Sequence, residues 1–243
     1  MTDKVVYFTG CFANYYAPET AKALVAIMEK NGCAVIVPEQ ACCGMPMLAN
    51  GNSKGARKNF TFIVQSLARA AAPGYPIVTT CPSCNMMLRK DGPLFFASEE
   101  AEYVAEHLYD AEEYLLGLHR QGRLNKNFGT TSLKVFYHNP CHLQVQNIIQ
   151  APLDLLALIP GLSITGVNAA CCGMGGSYGL KKLNYERSRQ IAGKVWNEVK
   201  AAQADILVTE CGGCSLQIQA GTGIPSSHPL VILNQAYEAG TRQ

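Results

Sequence analysis

Short apolar runs alternate with longer amphipathic segments along the chain, and this alternation predicts an α/β protein. Each of the clearest runs is rich in β-branched and aromatic residues and leads into a cysteine: VVYFTGC (5–11), PIVTTCPSC (76–84), VFYHNPC (135–141) and ILVTECGGC (206–214). Runs of this kind are typical of buried parallel strands, whose carboxyl ends present loop residues at one edge of a sheet. We therefore expect parallel strands that deliver cysteines to that edge.

The segments between these runs show the period of amphipathic helices. One helix is predicted to begin at Pro18 and to stop at Gly32, and a second is predicted to be capped by Ser53. The second helix is expected to bury Phe60, Ile63, Val64 and Leu67. A third helix over 184–202 is expected to bury Ile191, Val195, Trp196 and Val199. Strands that alternate with helices imply βαβ units with right-handed crossovers.

The cysteines repeat along the chain. Each half contains one cysteine, then a CCG triplet, then a CxxC pair, at the same offset except for a slip of one residue at the triplets. The first quintet is Cys11, Cys42, Cys43, Cys81 and Cys84, and the second quintet is Cys141, Cys171, Cys172, Cys211 and Cys214. An internal repeat of this length predicts two similar units.

We expect two Rossmann-like lobes with parallel sheets, related by a pseudo-twofold axis, that carry the cysteines on loops after strands. An acidic helix near 99–120 is followed by the polar linker RQGRLNKNFGTTS. The boundary is placed in this linker, so that the first lobe spans 1–125 and the second 126–243.

Composition narrows the classes of function. The 243 residues are 48% hydrophobic, and the net charge is only +2, which argues against a nucleic-acid partner. The apolar runs are shorter than the roughly 18 residues of a transmembrane segment, and MTDKVVYF lacks the pattern of a signal peptide. We expect a cytoplasmic protein that reaches the membrane only through a partner.

Eleven cysteines in a reducing compartment indicate metal ligands or redox groups rather than disulfides. A structural zinc site takes four ligands and would leave a fifth thiol unused in each half. Adjacent cysteines are poorly placed to bind one ion, but they can reach different irons of a polynuclear cluster. The pattern therefore favours one iron–sulfur cluster per half, with zinc in one or both halves as the alternative. The glycine after each vicinal pair is expected to let the backbone turn close to the metal.

The doubled order of cysteine, CCG and CxxC resembles the cysteine-rich CCG domain family, which includes the B subunit of heterodisulfide reductase and the C subunit of anaerobic glycerol-3-phosphate dehydrogenase. The segments CCGMPMLANGNSKGARKN, HNPCH and CCGMGGSYGLKKLNYERS are most similar to the glycerol-3-phosphate protein. The resemblance extends from about residue 5 to about residue 235. It implies that each quintet holds one non-cubane 4Fe–4S cluster through all five cysteines.

In the glycerol-3-phosphate protein a ferredoxin-like module comes first, and this chain is expected to lack it. The resemblance therefore implies an iron–sulfur subunit of an oxidoreductase complex with separate partners, a ferredoxin-like iron–sulfur chain and a flavoprotein. The expected activity is thiol/disulfide chemistry, in which a disulfide is reduced to thiols, as in heterodisulfide reductase. Alternatives are electron relay between a flavoprotein dehydrogenase of glycerol-3-phosphate or lactate type and quinone, a zinc-stabilised interaction module, and a metal-free thiol transferase.

Some further residues are candidates for supporting roles. His138 and His142 flank Cys141 and could donate a hydrogen bond to a cluster sulfur or a proton to a thiol; the alternative is a strand-end histidine satisfied by the backbone. Cys33 has no counterpart and is expected to be an inert core thiol. Basic residues that could offset cluster charge, or lie solvated in a first helical turn, are Lys54, Arg57, Lys58, Lys181, Lys182 and Arg187.

Overall fold

The computed structural model describes residues 3–241, which form two compact units. One unit ends at Asn125 and the other begins at Lys126. Each contains a four-stranded sheet in which every neighbouring pair of strands is parallel, with helices between the strands. The prediction of an α/β protein with two similar parallel-sheet lobes is confirmed.

The sheet of the first lobe has the strand order β2-β1-β3-β4. Its strands are β1 (Asp3–Phe8), β2 (Cys33–Ile36), β3 (Ile77–Thr79) and β4 (Leu108–Asp110). In the central strand β1, Val6 pairs with both Ile36 and Ile77. The residues from Val5 to Phe8 are fully buried. Such a continuous apolar run is expected of a parallel strand that is covered on both faces.

The helices of the first lobe include the two that the sequence predicts at Pro18 and near Ser53. They are α1 (Gly10–Tyr15), α2 (Pro18–Lys30), α3 (Met45–Ala49), α4 (Ser53–Ala71), α5 (Pro82–Met86), α6 (Gly92–Phe95), α7 (Glu99–His107) and α8 (Ala111–Arg120), and a π-helical turn over Met87–Asp91 joins α5 to α6. The predicted start of α2 at Pro18 is confirmed. The predicted face of α4 is also confirmed, since Phe60, Ile63, Val64 and Leu67 are buried.

The cap of α4 differs from the prediction by one residue. Asn52 rather than Ser53 precedes the helix, and the Asn52 Oδ1 accepts a hydrogen bond of 2.9 Å from the Gly55 N–H. Ser53 is the first helical residue. Both residue types are good caps, so the local sequence did not distinguish them.

Replacement of Asn52 by alanine is therefore expected to lower the free energy of unfolding by about 1 kcal/mol, because a helical N–H loses its acceptor. The matched change Ser53→Ala is expected to alter it by less than about 0.5 kcal/mol. Urea denaturation followed by circular dichroism compares the two variants. Equal losses would show that the cap has been assigned to the wrong residue.

The predicted continuous helix over 99–120 is wrong. It is divided into α7 and α8 by β4, a strand of three residues at the edge of the sheet. Asp110 ends β4 and caps α8, and with Glu113 it forms a capping box. A strand this short carries no alternating pattern, and its pairing with β3 is a tertiary contact that the local sequence does not specify.

The second lobe repeats the topology, with the strand order β6-β5-β7-β8. Its strands are β5 (Lys134–His138), β6 (Ser163–Asn168), β7 (Ile206–Val208) and β8 (Ser226–Ser227). Its helices are α9 (Cys141–Gln144), α10 (Ala151–Ala157), α11 (Tyr185–Ala201), α12 (Gly212–Thr222) and α13 (Pro229–Gly240), and a 3-10 turn over Lys182–Asn184 precedes α11. No helix in the described part of the chain is long and apolar enough to cross a membrane.

The third predicted helix exists as α11, and its buried face was predicted correctly except at Ile191; Trp196 is partly buried against the core. Val195 and Val199 are fully buried, whereas Ile191 is 43% exposed. The buried stripe is completed by Ser188 and Ala192. Ser188 is buried because its hydroxyl donates to the Gly173 carbonyl at 2.8 Å, a tertiary contact that apolar periodicity does not reveal.

Candidate functional site

In both lobes the cysteines follow the carboxyl ends of the first three strands. The single cysteine follows β1 or β5, the vicinal pair follows β2 or β6, and the CxxC pair follows β3 or β7. Within this arrangement Cys11, Cys84, Cys141 and Cys214 lie in the first turn of a helix, and the other members of the quintets lie outside the helices. Parallel strands bring these positions to one edge of each sheet, as the sequence predicts.

The structure brings the first quintet together through its sulfur atoms. Cys42 makes side-chain hydrogen bonds with Cys11 and Cys43. Cys84 makes them with Cys43 and Cys81, which completes a connected chain of thiols. All the cysteines, including Cys33, lie in the described range and are free of disulfides.

Proton sharing within the first quintet separates the thiol pKa values. Hydrogen bonds from Cys11 and then Cys43 hold the pKa of Cys42 far below its ordinary value. The hydrogen bonds that Cys84 makes with Cys43 and Cys81, together with burial, raise its pKa. One thiolate is thus stabilised by neighbours that keep their protons. Five thiolates at this site would need a compensating cation, and metal binding would release the protons.

The second quintet is less completely connected. The Sγ atoms of Cys214 and Cys172 lie 3.1 Å apart, and the Gly173 N–H donates to the Cys171 Sγ at 3.3 Å. Cys211 makes a hydrogen bond with Cys214, and Cys141 lies within electrostatic range of Cys211, Cys172 and Cys171. The pKa of Cys172 is lowered to about 5, chiefly by the hydrogen bond from Cys214 and with a smaller contribution from His138, against the opposing effect of burial.

His138 is the histidine that meets the second quintet. It is buried at the end of β5, and one of its ring nitrogens lies within 4.8 Å of the Cys172 and Cys214 sulfurs, which themselves lie within that distance of each other. Its Nδ1 has no hydrogen-bond partner among the described residues, so the alternative of a backbone-satisfied histidine is not what the structure shows. His142 lies one residue after Cys141 on α9, and this buried group does not include it. Phe8 occupies the position of His138 in the first lobe.

Each CCG triplet needs glycine at its third position, because a neighbouring helix packs closely against it. Gly44 has a φ of +90°, and a Cβ there would lie 3.0 Å from the Ala56 carbonyl oxygen of α4. Gly173 has a φ of +83°, and a Cβ there would overlap the Ser188 carbonyl oxygen of α11. The close approach that excludes a Cβ is thus to helix backbone, and the expectation that these turns also approach a metal stays a prediction.

The remaining candidates lie outside the quintets. Cys33 is buried, and burial raises its pKa, as expected for a core thiol. The basic residues that follow the CCG triplets are exposed. The Arg57 guanidinium lies 4.8 Å from the centre of the Phe96 ring. These contacts fit the interpretation of solvated helical turns.

Sequence reasoning missed a buried tyrosine behind each quintet. The Tyr137 hydroxyl donates to Glu210 at 2.9 Å, and the Tyr7 hydroxyl lies 3.1 Å from the Thr80 hydroxyl. Tyr7 also lies within electrostatic range of Glu112, which is fully buried. The repeated tyrosine four residues before each single cysteine was the available signal.

Comparison with known proteins assigns the family. The family model described as "CCG: Cysteine-rich domain" matches residues 5–89 and again residues 135–219. The chain belongs to the CCG cysteine-rich domain family. Each matched segment contains one complete quintet, so the predicted resemblance to this family is confirmed.

The similar relatives of this CCG-family chain include subunits of redox enzymes. The C subunit of anaerobic glycerol-3-phosphate dehydrogenase from Escherichia coli is 34% identical over 236 residues, which cover 96% of this chain and 59% of the relative. The B subunit of fumarate reductase (CoM/CoB) from Methanothermobacter marburgensis is 30% identical, and the match covers 89% of this chain and 42% of the relative. Lactate utilization protein A of Halalkalibacterium halodurans is 27% identical, covering 95% of this chain and 96% of the relative. The chain thus spans about half the length of the first two relatives.

Proposed function

We propose that this CCG-family chain is an iron–sulfur redox subunit in which each lobe, 1–125 and 126–243, holds one cluster of the non-cubane 4Fe–4S type. The observation that carries the proposal is the placement of each quintet after the carboxyl ends of three parallel strands, with the Cys172 and Cys214 sulfurs 3.1 Å apart in the second lobe. The donor set consists of sulfur, which suits iron–sulfur clusters. The ligands would be Cys11, Cys42, Cys43, Cys81 and Cys84 in one lobe and Cys141, Cys171, Cys172, Cys211 and Cys214 in the other.

A bound cluster supplies one-electron chemistry at iron. The chain supplies thiolates and the hydrogen bonds that adjust them. The Gly173 N–H already points at the Cys171 sulfur, and His138 bonds Cys172. Hydrogen bonds to ligand sulfurs stabilise the more negative, reduced state and thereby raise the potential. His138 would also hold a proton beside a sulfur.

The exposed members of the quintets indicate how the sites could be reached. Cys11, Cys141 and Cys171 are exposed, so the thiols are accessible from solvent in both lobes. This accessibility supports reduction of a disulfide substrate, with electrons from a ferredoxin-like iron–sulfur chain or a flavoprotein. We place the protein in the cytoplasm, at the membrane only through such a partner. Electron relay from a glycerol-3-phosphate or lactate dehydrogenase to quinone is the second candidate, which the relatives of those names favour.

Anaerobic purification followed by iron, sulfide and zinc analysis tests the proposal. We expect about four irons and four sulfides per lobe. One zinc per lobe without sulfide would overturn it, and zinc in a single lobe would restrict it to the other lobe. Titration with an organic disulfide then separates the two roles. A change in the electron paramagnetic resonance spectrum supports the reductase, and an unchanged spectrum supports the relay.

A further inference from the structure

A glutamine side chain joins the single-cysteine segment to the CCG segment in each lobe. In the first lobe it is Gln40, two residues before Cys42. In the second lobe it is Gln144, three residues after Cys141. Gln40 belongs to the CCG segment of its lobe, whereas Gln144 belongs to the single-cysteine segment. The two glutamines therefore do not occupy corresponding positions in the sequence repeat.

In the first lobe the Gln40 carboxamide bonds the end of β1 on both sides of Phe8. Its Nε2 donates to the Tyr7 carbonyl at 2.8 Å. Its Oε1 accepts from the Thr9 N–H at 2.9 Å and from the Thr9 hydroxyl at 3.0 Å. A residue in a neighbouring parallel strand makes the same pair of backbone bonds to the residues that flank its partner. The Gln40 side chain therefore substitutes for a peptide group of β2.

A side-chain donor is needed here because the chain leaves the sheet before it reaches the position opposite Phe8. The pairing of β1 with β2 ends at Val6 and Ile36. Pro38 follows two residues later, where a parallel strand would next donate, and proline has no N–H. Gln40 provides that donor from its side chain. As a result the segment that leads to Cys42 is fastened to the segment that leads to Cys11.

In the second lobe the backbone pairing of β5 with β6 continues further along the strands. The glutamine here lies on the segment that follows the single cysteine. His138 pairs with Asn168, and the Asn139 N–H donates to the Asn168 carbonyl at 2.8 Å. The Gln144 Nε2 then donates to the carbonyls of Asn139 and Ala169, both at 2.9 Å. Asn139 lies two residues before Cys141, and Ala169 lies two residues before Cys171.

We infer that Gln40 and Gln144 are positioning residues, each of which fixes the single cysteine relative to the vicinal pair of its own lobe. The inference rests on the proposed function. Neither side chain supplies a ligand atom. Each acts through the backbone that carries the ligands, and loss of such supporting hydrogen bonds weakens metal sites by about 10- to 100-fold.

The test uses proteins that retain one quintet. The double variant Cys171→Ser/Cys172→Ser leaves the first quintet, and Cys42→Ser/Cys43→Ser leaves the second. With only the first quintet, Gln40→Ala is expected to release iron to a chelator about tenfold faster and to alter the paramagnetic resonance spectrum. Gln144→Ala is expected to leave both unchanged. With only the second quintet, Gln144→Ala is expected to release iron faster and to alter the spectrum, and Gln40→Ala is expected to leave both unchanged.

The conservative change to glutamate gives opposite expectations for the two residues. Gln40→Glu keeps the acceptor for Thr9 but places a carboxylate oxygen against the Tyr7 carbonyl in place of the donor, so it is expected to restore only part of the wild-type behaviour. Gln144 acts only as a donor in its two bonds, so Gln144→Glu is expected to behave like Gln144→Ala. Gln65→Ala on α4 and Gln190→Ala on α11 are matched controls, since both residues are exposed.

A measurement on metal-free protein makes the inference independent of the cluster. Diamide oxidises two thiols to a disulfide and is itself reduced to the hydrazine, and the yield of the Cys11–Cys42 disulfide reports their proximity. Gln40→Ala is expected to lower this yield relative to Gln65→Ala. Equal disulfide yields, or equal iron release from Gln40→Ala and Gln144→Ala in each single-quintet protein, would overturn the inference. Wild-type protein without iron and sulfide would instead overturn the proposed function, and the disulfide yields would still decide the positioning role.

Discussion

Replacement of Cys43 by serine is expected to remove the iron of the first lobe and to leave that of the second. Cys43 is buried at 3% exposure and makes side-chain hydrogen bonds with Cys42 and Cys84, so it lies inside the quintet rather than at its edge. A serine hydroxyl does not ionise at neutral pH and is a poor ligand for iron–sulfur clusters. Anaerobic iron and sulfide counts should therefore fall by about half.

Cys33 provides the matched control for this result. It is as buried as Cys43, but it opens β2 and lies outside the quintet. Cys33→Ser is expected to cost stability, because a hydroxyl replaces a core thiol, and to retain the full iron content. Cys172→Ser should mirror Cys43→Ser and spare the first lobe. If Cys43→Ser kept all its iron, or if Cys33→Ser lost as much, the assigned ligand set would be wrong.

Replacement of Gly173 by alanine is expected to destabilise the CCG segment of the second lobe strongly. Its φ of +83° disfavours any side chain, and the new Cβ would overlap the backbone oxygen of Ser188. The carbonyl of Gly173 also accepts the Ser188 hydroxyl, which in turn accepts from Gln217 at 2.9 Å. Backbone strain and overpacking together should lower the free energy of unfolding by about 2–4 kcal/mol.

Gly176→Ala separates the two contributions. Gly176 also has a positive φ, +64°, but a Cβ there meets nothing within 4 Å. Gly176→Ala should lower the free energy of unfolding by about 1 kcal/mol, from backbone strain alone. Urea denaturation of the anaerobic proteins compares the variants. Equal losses would mean that the approach of α11 does not determine the requirement for glycine at position 173.

The pattern of residues was sufficient to predict the architecture of each lobe. Buried parallel strands are recognisable as continuous apolar runs. Pro18 marks the start of α2, and the spacing of apolar residues predicts the buried face of α4. The repeat of single cysteine, CCG and CxxC also identified the family, because the spacing of these cysteines is visible in the sequence itself.

The tertiary structure decided the features that depend on contacts between distant segments. β4 interrupts a helical pattern because it pairs with β3, and Ser188 is buried on α11 because it bonds Gly173. The role of Gln40 is visible only in the structure, because its side chain bonds the end of β1. The sequence alone therefore determined the two lobes, the strands that lead into single cysteines and CxxC pairs, and the repeat of the cysteines. Only the fold decided which polar side chains fasten those cysteines, since hydrogen bonds between distant segments leave no periodic trace in the chain.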